Sequence, residues 1–451
     1  MVKHTRRDVL KLSGGVLGGI AVGSTVTAAE STDRFIVKAD ADELGGDLSV
    51  VHAMDPVDFT VVEGPESALD AAGVDYAPDV EIELDRPEMK QDVGAELEDE
   101  PLYPLQWGKE AQNVPEAHEV TRGEGTRVAI VDTGVAAGHP DLEHAVNEDL
   151  SQDFTGDGYG AAGPYGGYHG THVAGIVAAN DKNEAGVAGT APATEIVDCR
   201  VFSPSALASF ADIVAAAVYA AEIGCDVANM SIGAYPVSRK GIGSFYGKVL
   251  NATMAYGRRQ GTLYVVSAGN DAADLQHDGR VCVENDDGTT DCFPAISLPN
   301  EAANVMSISA TGPIGFGWGD DGLEEPPTTP ANYTNYGTNA IDVSAPGGNY
   351  DPEAAANDVP GWYYDLVLNT VAIPSFDDDG NYLGADYSYS WVAGTSMAAP
   401  NVAGAAALVA SQQEKTSANK VRNVLRRTAR DVGDKPYHGS GFVDVEAAVT
   451  D

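Results

Sequence analysis

Short apolar runs alternate with segments of helical periodicity along most of this chain. β-Branched runs such as residues 127–131 and 262–266 have the length and composition of buried strands. Ala-rich segments such as residues 211–223 carry apolar positions at the spacing of an amphipathic helix. This alternation predicts an α/β fold over residues 101–451, in which a mostly parallel sheet has helices on both faces. In such sheets the active residues gather at the carboxyl ends of the strands.

Two insertions interrupt the alternation, at residues 315–333 and 349–389. The first is rich in Gly and Pro, which favours irregular structure. The second contains an apolar run at residues 363–368 that predicts a strand of its own. It also contains an acidic turn at residues 377–379, which we interpret as a solvated turn rather than a metal site.

The residues before position 101 follow a different pattern. Alternating or apolar runs at residues 34–38, 49–62 and 74–84 predict strands, and residues 65–73 predict a short helix. Residues 30–88 therefore form a small α+β unit whose core is too small to be very stable alone. Residues 89–100 are acidic and predict an exposed linker, which is where a protease would cut.

The extreme N-terminus has the features of a targeting segment. Residues 5–11 match a twin-arginine export signal, and Ala28-Ala29 follows a weakly apolar stretch as the expected cleavage site. That stretch spans about 16 residues, fewer than the roughly 20 that a membrane-spanning helix needs. We therefore expect residues 1–29 to be a signal peptide and the mature protein to be secreted, with no membrane attachment.

The charge balance is strongly acidic, with 68 Asp and Glu against 26 Lys and Arg and a net charge of −42. Binding to nucleic acid is excluded, because phosphate recognition needs a basic surface. The acidic residues are spread over the whole chain, which argues against a disordered acidic tail. They predict a folded protein with an acidic shell. Such a shell is typical of a high-salt habitat, where screening removes the repulsion between like charges.

Four cysteines fall into two pairs of different character. Cys282 and Cys292 bracket a short acidic loop, which in an exported protein predicts a local disulfide. Cys199 and Cys225 lie in apolar, strand-like segments. For these two, buried free thiols are at least as reasonable as a second disulfide.

Three segments carry the side chains that acyl transfer requires. Asp132 directly follows a predicted strand, His169 opens a predicted helix, and Ser396 lies at a Gly-Thr turn that leads into an Ala-rich helix. A Ser hydroxyl becomes a good nucleophile only when a neighbouring base takes its proton. A neutral His is such a base, and a buried carboxylate fixes its tautomer. A Ser at a helix N-terminus also lies where backbone N–H groups can face a developing oxyanion.

These segments read Asp132-Thr-Gly, His169-Gly-Thr-His-Val-Ala-Gly and Gly394-Thr-Ser-Met-Ala-Ala-Pro. In this order the chain resembles the subtilisin-like (subtilase) serine protease family, in its halophilic secreted, halolysin-like form. The resemblance covers about residues 101–450. It implies a secreted serine endopeptidase that acts through an Asp132, His169 and Ser396 triad and an acyl-enzyme intermediate.

The resemblance also implies a substrate cleft. The Asn270 side chain would supply the second oxyanion donor, and the substrate would bind as an added β-strand. The expected cleft residues are Ser231, Gly233, Gly269, Ala206, Leu207 and Ala208. The chain departs from the family pattern at Ala206–Ala208, where a Gly-rich stretch is usual. The extra side chains there predict narrowed or reshaped subsites.

A structural calcium ion is the cofactor that the resemblance implies. Asp141 matches one ligand, and the loop at residues 180–187 could offer backbone oxygens and one amide oxygen. The loop ligands would be Asn180, Asn183, Ala185 and Val187. Calcium prefers six to eight such oxygens. An ordinary loop that ends a helix remains the alternative.

The resemblance makes residues 30–88 a propeptide that assists folding and inhibits the enzyme. We expect a monomer that acts on proteins or peptides. Two other functions stay open: a catalytically silent subtilase fold that acts as an acidic binding protein, and a narrow processing peptidase. The altered wall at Ala206–Phe210 is the feature that favours the second of these.

Overall fold

The computed structural model describes most of the chain. The described residues are 24–27, 33–84, 102–183, 186–240, 242–277, 280–284, 290–320, 322–412 and 417–451. The expected linker at residues 89–100, and all of the expected signal peptide except residues 24–27, lie outside them. Within the described ranges, no helix combines the length and apolar character needed to cross a bilayer.

The N-terminal unit contains a four-stranded antiparallel sheet, one α-helix, and two further strands that pair with each other outside that sheet. Its elements are β1 (Ser24–Thr27), β2 (Arg34–Lys38), β3 (Ser49–Met54), β4 (Phe59–Glu63), α1 (Glu66–Ala72), β5 (Asp75–Pro78) and β6 (Glu81–Leu84). The four-stranded sheet has the order β3-β4-β2-β5, and β1 pairs with β6 outside it. Alternate residues of β2 point to opposite faces. Phe35 and Val37 join Leu69 of α1 in one small core, whereas Ile36 joins the core of the larger domain. The unit therefore buries its second face against that domain.

The larger domain is built on a parallel sheet. Its strands are β7 (Arg127–Asp132), β8 (Gln152–Asp153), β9 (Glu195–Arg200), β10 (Leu207–Ser209), β11 (Val227–Met230), β12 (Ala234–Ser238), β13 (Leu263–Ser267), β14 (Arg280–Glu284), β15 (Thr290–Leu298), β16 (Val305–Thr311), β17 (Val343–Pro346), β18 (Val367–Phe376) and β19 (Tyr382–Val392). Seven of them form the sheet β17-β16-β13-β11-β7-β9-β8. Every neighbouring pair in it is parallel. The α/β prediction is confirmed.

Helices cover both faces of this sheet. They are α2 (Trp107–Ala111), α3 (Val114–Ala117), α4 (His169–Ala178), α5 (Phe210–Glu222), α6 (Ile242–Gln260), α7 (Pro352–Ala356), α8 (Thr395–Ser411), α9 (Ala418–Thr428), α10 (Lys435–His438) and α11 (Val445–Thr450). α8 packs against α4 and the sheet, while α5 and α6 pack against each other. α8 is buried from Thr395 to Ala410 because its side chains are mostly Ala and other small groups.

The second insertion differs from its prediction. Trp362–Asp365 forms a 3₁₀ turn, and the strand begins only at Val367. The Asp365 carboxylate accepts hydrogen bonds from the N–H groups of Gly315 and Phe316 in the first insertion. These bonds join the two insertions and hold the turn, which hydrophobic periodicity alone does not reveal.

β18 and β19 form a long hairpin that runs along α4. Thr370 Oγ1 donates a hydrogen bond to Thr171 O, and His172 Nε2 lies 3.2 Å from Val367 O and 3.1 Å from Ser390 O. His172 thus has a structural role, because it joins α4 to both strands of the hairpin. Gly175 makes the contact close enough, because a Cβ there would overlap the Asn369 and Thr370 side chains.

We expect Gly175→Ala to destabilise the protein by about 1–3 kcal/mol, because the added methyl group overlaps short, buried side chains. Gly247→Ala in α6 is the matched control, since a Cβ there meets nothing within 4 Å. Removing a helical Gly should leave stability unchanged or raise it by up to about 1 kcal/mol. Thermal unfolding of both variants tests the packing of α4 on the hairpin. Equal melting temperatures would contradict it.

Candidate active site

Three buried side chains meet at the carboxyl edge of the parallel sheet. Asp132 is the last residue of β7, His169 is the first residue of α4, and Ser396 is the second residue of α8. Their exposed fractions are 1%, 2% and 4%. The strand-to-helix topology therefore places three residues that are far apart in the sequence at one edge of the sheet.

The Asp132 carboxylate fixes the tautomer of His169. His169 Nδ1 lies 2.8 Å from Oδ1 and 3.0 Å from Oδ2 of Asp132. A carboxylate only accepts hydrogen bonds, so Nδ1 carries the proton and Nε2 is the basic nitrogen. Nε2 is buried and has no hydrogen-bond partner among the described residues. Gly170 permits this approach, because a Cβ there would lie 2.6 Å from Gly134 O.

Ser396 is anchored to the end of β11. Pro400 has no N–H group to donate to the carbonyl four residues before it. The free Ser396 carbonyl instead accepts a 2.8 Å hydrogen bond from Ser231 Oγ. Ser396 Oγ donates to Ser231 O at 3.2 Å. This bond directs the hydroxyl proton of Ser396 toward Ser231 O.

Asn270 is oriented by the turn before Ser396. Its Oδ1 accepts hydrogen bonds from Thr395 N at 2.9 Å and Thr395 Oγ1 at 2.8 Å. Because the amide is planar, these bonds direct its Nδ2 group away from Thr395. Ser396 N–H lies in the first turn of α8, where backbone N–H groups have no intrahelical acceptor. These two donors are the pair that an oxyanion would require.

A strand of the N-terminal unit lies along the predicted cleft wall. β6 pairs antiparallel with β10, with Ile82 opposite Ala208. Leu84 N donates to Ala206 O at 3.0 Å. Main-chain pairing of this kind is how an added substrate strand would bind. The side chains at Ala206, Leu207 and Ala208 therefore do not prevent main-chain pairing along this wall.

Side chains of β6 enter the larger domain at alternate positions. Ile82 and Leu84 are each 4% exposed. Ile82 lines an apolar pocket whose other walls include Phe210, Ile232 and Gly233. The role of Gly233 in substrate binding stays a prediction. Ser231 and Gly269 instead support the Ser396 turn, Gly269 through a 3.1 Å hydrogen bond from its N–H group to Thr395 Oγ1.

A polar cluster joins the N-terminal unit to the start of α5. Asp79 Oδ1 accepts a 3.0 Å hydrogen bond from Ala211 N, and the Asp79 carboxylate also accepts one from Ser209 Oγ. Arg34 pairs with both Asp79 and Asp212. Burial raises the pKa of Asp79 to about 6, although Ser209 and Arg34 oppose that shift. The unit is therefore held to the cleft by charge and hydrogen bonds as well as by apolar contact.

Asp141 is a fully buried carboxylate, and no ion pair is found for it among the described residues. Its Oδ1 accepts a 2.5 Å hydrogen bond from Asn183 Nδ2, and its Oδ2 accepts one of 3.0 Å from Val187 N. Asn180 N donates to Asp141 O at 3.0 Å. Ala185 lies outside the described residues. A buried charge without a compensating cation fits a metal ligand, but Asn183 would have to turn its amide to present the oxygen.

The four cysteines occupy two environments. Cys282 and Cys292 face each other on β14 and β15 and form a disulfide with an S–S distance of 2.06 Å. Cys199 and Cys225 are buried and free. Burial raises the pKa of the Cys225 thiol to about 12, which keeps it protonated and unreactive.

Asn335 supports the site and was not singled out from the sequence. Its Oδ1 accepts hydrogen bonds from Asp271 N and Ala273 N, both at 2.9 Å, and its Nδ2 donates to Ala268 O at 3.0 Å. It therefore fixes the loop that carries Asn270. No local motif marks it, because its partners lie more than 60 positions earlier in the chain.

This sheet and this Asp–His–Ser arrangement define a serine endopeptidase of the subtilisin-like class. Residues 123–442 match Peptidase_S8, the subtilase family, and the chain belongs to that family. The chain is 28% identical to an alkaline protease of Shouchella clausii over 95% of this chain and 88% of that protein. It is 29% identical to halolysin of Haloferax mediterranei over 96% of this chain and 69% of that protein.

A solved structure supports the same fold. Fervidolysin from Fervidobacterium pennivorans, a keratinolytic enzyme related to subtilisin, matches with a TM-score of 0.66 at 22% identity. The match covers 97% of this chain and 65% of that one. It includes the N-terminal unit as well as the larger domain, since it spans almost the whole chain.

We expect Asn270→Asp to lower kcat about 10²–10³-fold, because it removes the Nδ2 donor while keeping the acceptor for Thr395. KM should change little, since the lost interaction forms mainly in the transition state. Steady-state kinetics on a chromogenic peptide measure both. The exposed Asn339→Asp is the control for the added charge. A kcat for Asn270→Asp within twofold of wild type would contradict the role.

Proposed function

We propose that the protein hydrolyses peptide bonds through Asp132, His169 and Ser396. The observation that carries the proposal is the His169 ring, with Nδ1 bonded to Asp132 and a buried, unpartnered Nε2. Nε2 takes the proton of Ser396 Oγ as this oxygen attacks the substrate carbonyl carbon. Asn270 Nδ2 and Ser396 N–H stabilise the resulting oxyanion. His169 then gives its proton to the leaving amine, and water hydrolyses the acyl-enzyme by the same route.

The substrate is an extended peptide added to β10. β6 supports this view, because its backbone already pairs with Ala206 and Ala208. The pocket around Ile82 favours an apolar side chain, and Leu84 marks a second buried position two residues later. Backbone pairing tolerates many sequences, so we favour a broad endopeptidase with apolar preferences over a narrow processing enzyme.

The N-terminal unit acts as a propeptide that keeps the enzyme inactive. β6 lies where a substrate strand would lie, so the two cannot bind together. Asp79, Arg34 and Asp212 hold the unit at the start of α5. Activity begins when the connection after Leu84 is cut and the unit leaves. A protease exported in a folded state would need such an inhibitor.

The acidic surface adapts a secreted enzyme to high salt. Residues 33–84 contain 14 acidic and 2 basic residues, so the propeptide and the rest of the acidic chain repel each other at low ionic strength. The distance beyond which salt screens this repulsion is about 10 Å at 0.1 M and about 3 Å at 1 M. Similarity to a halolysin supports the same view.

The proposed mature enzyme also binds a calcium ion at Asp141. Asp141 and the loop from Asn180 to Val187 would hold it, with Asn183 as the side-chain partner. The supporting observation is that the Asp141 carboxylate is fully buried and that no cationic side chain pairs with it among the described residues. The ion would supply the missing positive charge and stiffen the loop that follows α4.

We expect Ser396→Ala to abolish peptide hydrolysis at high salt, because it removes the nucleophilic oxygen. Casein and chromogenic peptide assays measure the loss against wild type and the exposed Ser375→Ala control. Residual turnover should fall by at least about 10³-fold. Equal turnover in Ser396→Ala and wild type would refute the mechanism and favour a binding protein.

The same variants report on maturation. Self-processing should give a wild-type product that begins after Leu84, whereas Ser396→Ala should keep the N-terminal unit attached. N-terminal sequencing of the secreted protein distinguishes them. A wild-type product that begins near Glu30 would contradict propeptide removal.

We expect calcium to raise the melting temperature of wild type, since a ligand at 100 times its Kd adds about 2.7 kcal/mol of stability. Asp141→Asn should abolish the rise in melting temperature, and a chelator added to wild type should abolish it as well. The exposed Asp377→Asn is the control, because it tests the acidic turn instead. An undiminished rise in Asp141→Asn would exclude the site.

A further inference from the structure

A buried lysine lies between α4 and α8, the two helices that carry the histidine and the serine of the triad. Lys109, in α2, is 3% exposed. Its Nζ donates hydrogen bonds to Ile176 O of α4 at 2.9 Å, to Thr190 Oγ1 at 2.7 Å and to Asn401 Oδ1 of α8 at 3.1 Å. One amino group thus joins two helices and the loop that follows α4.

The three partners of Lys109 offer what a charged amine requires. A backbone carbonyl and an amide oxygen only accept hydrogen bonds, and Thr190 Oγ1 gives its own proton to Asn401 Oδ1 at 3.3 Å. An ammonium group has three N–H donors, so each donor has one acceptor. Ile176 also lies in the last turn of α4, where a positive charge is favourable.

An apolar side chain of similar size could not make these bonds. Burial lowers the pKa of Lys109 to about 7, because its positive charge is removed from water. None of its three hydrogen-bond partners is a carboxylate. A methionine would fill the same space without the cost of burying a charge. What the lysine contributes is therefore the bridge between the helices.

This bridge lies near the triad ends of both helices. Ile176 follows His169 by seven residues, and Asn401 follows Ser396 by five. At about 1.5 Å per residue, the bridge is about 10 Å from His169 along α4 and about 8 Å from Ser396 along α8. α4 and α8 also pack against each other. A change in their spacing at the bridge would therefore move the two triad side chains relative to each other.

The bridge is also anchored outside the two helices. Asn401 Nδ2 donates to Pro346 O at 3.0 Å, at the end of β17. Gly108 lets α2 approach this same proline, because a Cβ there would lie 2.8 Å from Pro346 Cβ. Gln106 Oε1 accepts a 2.8 Å hydrogen bond from Ala188 N, in the loop after α4. The amino group is therefore carried by a segment that is itself held in place.

We infer that Lys109 is a positioning residue for the proposed reaction, because it fixes α4 against α8 and thereby sets the spacing of His169 and Ser396. This inference rests on the proposed triad. A misplacement of about 1 Å can slow a reaction by about 10²-fold. The substrate strand would bind along β10, which is not part of the bridge. Loss of the bridge should therefore slow acylation and leave substrate binding unchanged.

The first test replaces the lysine in the mature enzyme. For Lys109→Met we expect kcat on a chromogenic peptide to fall about tenfold, with KM within about twofold of wild type. Labelling of Ser396 by a sulfonyl fluoride should slow about tenfold as well. Val249→Ala is the control, because it creates a cavity at a fully buried position of α6, which packs against α5. It should lower the melting temperature without changing either rate. A kcat for Lys109→Met within about twofold of wild type would overturn the inference.

The second test uses milder variants, in case Lys109→Met does not fold. Thr190→Val keeps the shape of the side chain but removes the acceptor of the Lys109 bond, whereas Thr190→Ser keeps the hydroxyl. We expect Thr190→Val to slow the labelling of Ser396 at least about threefold and Thr190→Ser to match wild type. Equal labelling rates in these two variants would also overturn the inference. Failure of the proposed function is a separate result, since it would appear as turnover that persists in Ser396→Ala.

Discussion

The hydrogen bond between His169 Nδ1 and Asp132 is the interaction on which the rest of the site depends. It leaves Nε2 as the only basic nitrogen of the ring, and burial keeps water from competing for it. The bond can form because the end of β7 and the start of α4 lie next to each other in space. Gly170 lets the helix approach the turn after the strand. The sheet, the helix and the glycine thus act together to define one proton acceptor.

The proposed inhibition and the proposed substrate binding both depend on one strand. β6 of the N-terminal unit pairs with β10 at the predicted cleft wall. A substrate would use the same backbone groups, so inhibition and binding follow from one geometry. Arg34 and Asp79 give the unit a polar attachment that a short peptide substrate would lack.

The candidate catalytic residues could be predicted from local sequence motifs. Asp132, His169 and Ser396 each lie at the junction of a strand and a helix, and such junctions can be recognised from hydrophobic periodicity. Asn335 could not be predicted in this way, because its role depends on segments that only the fold brings together. The prediction of a strand at residues 363–368 was wrong about where the strand begins, for the same reason. The turn at Asp365 is held by contacts with residues that are distant in the sequence.

Covalent labelling tests the central claim most directly. A sulfonyl fluoride that modifies activated serines should add one label per mature chain, and peptide mapping should locate it on Ser396. Labelling should disappear in His169→Ala, which keeps the serine but removes the base, and it should be slow while the N-terminal unit is attached. A label on another serine, or equal labelling of wild type and His169→Ala, would contradict the account.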